Sequence, residues 1–210
     1  MLGLAAIAAM AAMAFVGAGS AMATGNTALC NTNTTPCTSL TGPLHFVSVA
    51  EPELVTTTPN LTIKCLSGLG TGTAEGLSIA SGKPAGVTVN ELLWTGCYTV
   101  GSPTHNCTVT TEVKGLIDVL KSAAANLGTA TALLTKVKVV CGAIISCAYG
   151  GAETTGLKVE GALHPAPGTN SKGLIEAPGI SVPIALPGIC PKTSVWTAKY
   201  ESLAHIFVTT

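Results

Sequence analysis

The sequence predicts an all-β fold, an antiparallel β-sandwich or partly open barrel stapled by disulfides. Three observations carry this. Short Thr/Val-rich runs alternate apolar and polar side chains, Gly or Pro separates most of them, and eight cysteines follow an apolar leader.

The leader, Met1 to Ala23, has no charged side chain and passes from an apolar stretch, Leu4 to Val16, into Gly17, Ala18, Gly19 and Ser20. It ends in Ala21-Met22-Ala23, whose small first and third residues suit signal peptidase, so the cut is expected before Thr24. Its apolar core is shorter than the roughly 20 residues of a membrane-spanning helix. Its only positive group is the α-amino group of Met1, where a signal peptide normally opens on Lys or Arg. Residues 1–23 therefore read as a signal peptide, 24–43 as a polar N-terminal arm, and 44–210 as a single β-sandwich domain.

Ten Lys balance nine Glu and one Asp, Asp118, and the chain has no Arg. No strong field draws in nucleic acid or anionic lipid, and no guanidinium fork is present for phosphate. With 47% apolar residues, the chain has the means to bury a core.

All eight cysteines, Cys30, Cys37, Cys65, Cys97, Cys107, Cys141, Cys147 and Cys190, lie beyond the leader, where oxidation is favoured. Local turns suggest three clasps: Cys30–Cys37, Cys97–Cys107 around Gly101-Ser102-Pro103, and Cys141–Cys147 around Gly142 to Ser146. Cys65–Cys190 then remains as a long tie. No C-x-x-C spacing is present, so structural disulfides are preferred to a metal site.

In chain order, the arm is rich in Asn and Thr up to Pro43. Leu61-Thr62-Ile63-Lys64-Cys65 is the first strand, with Leu61, Ile63 and Cys65 on one face. Gly68 to Glu75 reads as a Gly/Thr turn. Strands follow at Leu77 to Ala80, Val87 to Trp94, Cys107 to Val113, Thr135 to Cys141, Ile144 to Tyr149, Gly156 to Leu163, Ile180 to Ile184, Ser194 to Tyr200 and His205 to Thr209. Over 116–127 the pattern fits either a hairpin or one short helix. Leu116, Leu120, Ala123 and Leu127 make a helical stripe, yet the flanking turns favour the hairpin.

Catalytic signals are sparse. Gly68 to Thr73 has its third glycine too early for a dinucleotide loop, and Gly76 to Lys83 is one residue too long for a P-loop, with Pro84 at the magnesium position. His45, His105, His164 and His205 stand singly, so no zinc motif arises. A Ser-His-acid triad would have to assemble in space around Asp118 or a Glu. Trp94 and Trp196 lie in strands and read as core anchors. No catalytic, cofactor or metal residue is assigned.

At Leu61 to Cys65, Trp94-Thr95-Gly96-Cys97, Cys107-Thr108-Val109, Val139-Val140-Cys141, Cys147-Ala148-Tyr149-Gly150 and Cys190-Pro191 through Trp196 to Tyr200, the chain resembles a group of uncharacterised secreted proteins of high-GC Gram-positive bacteria. The resemblance implies export and a β-rich disulfide fold, and it carries over no site. The function expected is a secreted or cell-envelope-associated, non-catalytic binding or structural module whose partner is a cell-wall polymer or envelope protein. Two alternatives stand beside it: a secreted hydrolase with a spatially assembled site, and a disulfide-rich inhibitor or effector acting through the loop Tyr98 to Asn106.

Overall fold

Side chains that branch at Cβ and alternate in polarity favour the pleated chain, and in the computed structural model of the protein strands dominate. It describes residues 27–32, 37–57, 60–75, 83–101, 106–122, 126–143, 145–162, 172–184 and 190–209. The expected signal peptide and the strand expected over Leu77 to Ala80 lie outside these. The strands are β1 (Ala28–Cys30), β2 (Thr41–Ser48), β3 (Glu53–Thr57), β4 (Asn60–Lys64), β5 (Ser67–Glu75), β6 (Ala85–Thr99), β7 (Cys107–Val113) and β8 (Gly115–Lys121). They continue as β9 (Leu127–Leu133), β10 (Lys136–Cys141), β11 (Ile145–Gly150), β12 (Thr154–Glu160), β13 (Leu174–Pro183), β14 (Thr193–Ser202) and β15 (Phe207–Thr209). The expected arm boundary at residue 43 falls inside β2.

The 15-residue β6 pairs with four strands. Along one side it meets β5 through Val87 to Thr95 and β4 through Tyr98 and Thr99. Along the other it meets β8 through Ala85 to Val89 and β7 through Leu93, Trp94 and Cys97. From β6 the ladder runs through β4, β3, β14, β13, β12, β9 and β8, and β8 returns to β6. An eight-stranded antiparallel barrel is thereby closed, in place of the sandwich or partly open barrel expected. β2 and β5 link β14 to β6 a second time, and β7, β10 and β11 reach from β6 back to β13 through the Tyr149–Ile184 bridge.

Closure needs curvature, and β6 has two irregularities that supply it. Its register against β5 slips between Glu91 and Val89, leaving Asn90 bulged, so Leu92 and Trp94 on one side of the slip and Val87 and Val89 on the other all line the barrel interior. A second slip lies between Trp94 and Cys97, where Gly96 takes a φ of 64°.

One local expectation holds and another is corrected. No helix forms over 116–127 among the described residues; β8 and β9 make a hairpin, with Leu116 opposite Leu133 and Lys121 opposite Gly128. Ile117 and Val119 thereby line the interior, and the first half of β6 gains a partner on its second side. Gly68 to Glu75 is strand, not turn. Gly68, Gly70, Gly72 and Ala74 occupy alternate positions on one face of β5, a period-two pattern whose inward residues are small.

The cystines are Cys30–Cys37, Cys65–Cys97, Cys107–Cys141 and Cys147–Cys190. Cys30–Cys37 is the local clasp expected, and the other three pairings replace those expected. The reason is lateral. Cys97 does lie opposite Cys107 across β6 and β7, but Cys107 also faces Cys141 across β7 and β10 and bonds there, which leaves Cys97 to Cys65. In the β10–β11 hairpin Cys141 faces Ile145 and Cys147 faces Val139, so the two cysteines are out of step. With separations of 32, 34 and 43 residues, these three closures each restrict the unfolded chain by about 4 kcal/mol in the loop-entropy picture.

The opposite end of the barrel is plugged. β1 pairs with β15, and Leu29, Ile206 and Val208 join the main core. Residues of the expected polar arm thus form part of the interior: Thr27, Ala28, Leu29 and Cys30 are all buried. Asn126, in the left-handed region at φ 58°, fastens the plug. Its Oδ1 accepts from the Val208 amide at 2.9 Å, and its Nδ2 donates to the Ala162 carbonyl. Asn126→Gly keeps the backbone conformation and removes both bonds, so it is expected to lower stability by about 1–3 kcal/mol. It should also speed hydrogen exchange at Val208; unchanged melting and unchanged exchange would contradict this role.

Candidate functional site

In a small barrel, inward side chains must fill the lumen or leave room for a ligand. β14 shows how this one is shaped. Ser194, Trp196, Ala198, Tyr200 and Ser202 alternate inward, and the small Ala198 separates two large rings. Trp94 of β6 donates its indole N–H to the Tyr200 hydroxyl, and the Trp94 and Trp196 rings lie 6.2 Å apart at 33°. These rings fit because β5 has no side chain opposite them. A Cβ on Gly68 would stand 3.0 Å from the Tyr200 ring and 3.1 Å from the rings of Pro52 and Trp94.

One register step along β5, the space is not filled. A Cβ on Gly70 would meet nothing nearer than Phe46 at 3.6 Å. Gly70 borders a cavity of about 160 Å³. Leu44 and Phe46 of β2, Leu92 and Trp94 of β6, Ile117 and Val119 of β8, and Leu157 and Val159 of β12 line it. Trp196 and Tyr200 complete the aromatic side, and Leu29 and Ile206 reach it from the plugged end. Among the described residues, the ionisable lining groups besides Tyr149 and Tyr200 are Glu91 and Glu160.

Burial pushes the Tyr200 phenol far above its ordinary range, the bond from Trp94 opposing this only in part, and burial also raises Tyr149. Both therefore stay neutral across physiological pH. Asp118, the one residue named as a possible orienting acid, lies on β8 opposite Gly86 and outside the cavity. Burial first, and then the charge of Glu75, raises its carboxyl.

His45 and His205 are exposed and line no part of the cavity, and His105 and His164 lie outside the described residues. Among the described residues no group of three or more His, Cys, Asp or Glu is placed to hold a metal ion. The glycine run once compared with a phosphate loop is the strand β5, and most of Gly76 to Lys83 lies outside the described residues. The loop Tyr98 to Asn106 is described only at its two ends. Sequence reasoning placed both tryptophans in the core but missed the cavity beside them. The one available signal was the glycine alternation of β5 facing Trp94 and Leu92.

Comparisons with protein-family models, with curated proteins and with solved structures find no match for the chain.

The two glycines make opposite demands. Gly68→Val is expected to destabilise by about 1–3 kcal/mol by forcing apart Tyr200, Pro52 and Trp94. Gly70→Val, whose Cβ meets Phe46 and Leu92 only at ordinary contact distance beside the cavity, should cost clearly less, and equal losses at both positions would contradict the inward geometry. The tyrosines give a pH dependence. A phenol whose folded pKa exceeds the unfolded value near 10 holds its proton more tightly when native. Stability is then complete below about pH 10 and lost as pH rises from there toward the folded pKa. Thermal melts should show this alkaline loss, with Tyr200→Phe making it shallower; an identical slope in both proteins would contradict the burial of that phenol.

Proposed function

We propose that this protein is a secreted or cell-surface, non-catalytic binding module that takes a compact apolar ligand inside its barrel. The observation that carries the reading is the unfilled volume beside Gly70, walled by aliphatic and aromatic side chains. A void of about this size with apolar walls stays dry and accepts benzene-sized molecules, because a guest regains the contacts that the walls lack. Support for export comes from four cystines, which persist in oxidising compartments. Among the described residues no helix is long and apolar enough to cross a membrane. Outward side chains such as Thr108, Thr110 and Lys138 suit a wall that meets water. The cell-wall polymer or envelope protein expected from the sequence would engage that outer surface, leaving the lumen to the small ligand.

Benzene titrated into the oxidised protein, with the indole N–H resonances of Trp94 and Trp196 followed by NMR, tests the reading. Saturable shifts are expected, and Gly70→Leu, whose side chain enters the cavity, should abolish them while the fold persists. Absence of saturable shifts in the unsubstituted protein would refute it.

A further inference from the structure

A barrel wall is held shut by its ladders, and a stretch of wall without them is where it opens most readily. One such stretch lies between β12 and β13. On its β14 side β13 is paired from Leu174 to Pro183, with Gly179 bulged. On its other side the pairing with β12 stops at Glu176 opposite Lys158, and among the described residues the two margins next meet where Ile184 bridges Tyr149. Gly150 to Leu157 thus run past Ala177 to Pro183 without a ladder. The sequence explains the omission. Pro178 and Pro183 have no N–H to give, and Gly151 and Gly156, at φ of 82° and 94°, turn their margin out of the extended form. A side chain spans the gap instead: Ile180 is buried, and a Cβ on Gly156 would stand 3.2 Å from its Cγ2.

The cavity lies behind this gap. Tyr149, Gly150, Thr154 and Leu157 line it from one margin, and Ala177 and Val182 line it from the other. Thr155, Gly156, Pro178, Gly179 and Ser181, which stand between them, are exposed. The two ends of the gap are closed differently. At one, Lys158 to Glu160 pair with Leu174 to Glu176. At the other, beside the Tyr149 bridge, the Cys147–Cys190 cystine ties β11 to the chain leading into β14. We propose that this stretch of wall is the door by which the ligand reaches the cavity, hinged at the β12–β13 ladder and latched by Cys147–Cys190. This rests on the cavity-binding reading above and adds the route. The rival route is the β1–β15 plug, but moving the plug breaks the β1–β15 pairing, both Asn126 bonds and the bond from the Lys121 amide to the Thr27 hydroxyl. Parting the margins lifts Ile180 off Gly156 and, among the described residues, breaks no ladder before the Tyr149–Ile184 bridge is reached.

Benzene is the probe, and its exchange with the oxidised protein is followed by NMR. Cys147→Ala with Cys190→Ala is expected to speed association and dissociation alike by about tenfold or more, the scale of one lost cross-link. The Kd should move by less than about twofold, because a door sets the barrier and not the bound state. Cys107→Ala with Cys141→Ala is the control. Its closure of 34 residues is close to the 43 of the latch, so it removes a similar share of stability, but it sits on the β7–β10 ladder, paired from Lys136 to Cys141. It should change the rates by less than about twofold. Native-state hydrogen exchange of the unsubstituted protein, which needs no variant to fold, should show the amides bonding β12 to β13 opening at lower denaturant than those of β1 and β15. Equal acceleration by the two cystine pairs, faster exchange in Asn126→Gly than in the latch variant, or prior opening of the β1–β15 amides overturns the proposal. Benzene that binds but exchanges in that contrary pattern defeats this inference alone, whereas no saturable binding defeats the cavity reading with it.

Discussion

β6 bonds to β4 and β5 along one side and to β7 and β8 along the other, and among the described residues no other strand holds four partners in this way. The closure of the barrel depends on it. A regular strand of this length would run straight past the curve of the wall. The bulge at Asn90 and the left-handed Gly96 bend it, and each resets which residues face in. Leu92 and Trp94 on one side of the first slip and Val87 and Val89 on the other thus line one lumen, and Cys97 beyond the second slip is buried with them. Two of these pairings, β6 with β4 and β6 with β8, join strands that are not consecutive in the chain, so long loops must close before those contacts form. The three wide cystines shorten that search at the end where β4, β6, β7, β10 and β11 meet.

Inside the wall, volume is distributed by pairing large residues with absent ones. Gly68 admits Trp94, Tyr200 and Pro52, and the position is filled. Beside Gly70 a Cβ would meet Phe46 and Leu92 only at ordinary contact distance, 3.6 and 3.9 Å, and a cavity adjoins it. The cavity lies beside the second of these glycines, and Leu29 and Ile206 reach it from the β1–β15 plug. Asn126 fastens that plug by bonding across to both Ala162 and Val208, and the Thr27 hydroxyl accepts from the Lys121 amide beside it.

How much of this the sequence disclosed follows from what kind of signal each element carries. β4, β7, β10 and β14 announce themselves, since Ile63, Val109, Val139 and Trp196 alternate with Thr, Lys or Ser. β5 and β9 do not, because their inward residues are Gly68, Gly70, Gly72, Gly128, Ala130 and Ala132, which carry little hydrophobic contrast. Polar outer residues with small inner ones look like a turn until the partner strand is known. β2 was hidden by Pro43 at a position opposite Thr73, and β1 by its polar surroundings. Cystine pairing was legible only where the loop was short. Cys97 and Cys107 do approach each other, but a lateral neighbour, invisible along the chain, took the second sulfur. The candidate site left no motif to read, for it is a volume deficit walled by apolar side chains of many strands.

Peptide mapping of the unreduced protein by mass spectrometry reaches the central claim most directly, since strand order around β6 decides which sulfurs can meet. Linked peptides joining Cys65 to Cys97, Cys107 to Cys141 and Cys147 to Cys190 are the result this account requires. Recovery instead of the hairpin-local pairs, Cys97 with Cys107 and Cys141 with Cys147, would contradict the closed wall, because β7 and β10 would then not lie side by side with Cys107 facing Cys141.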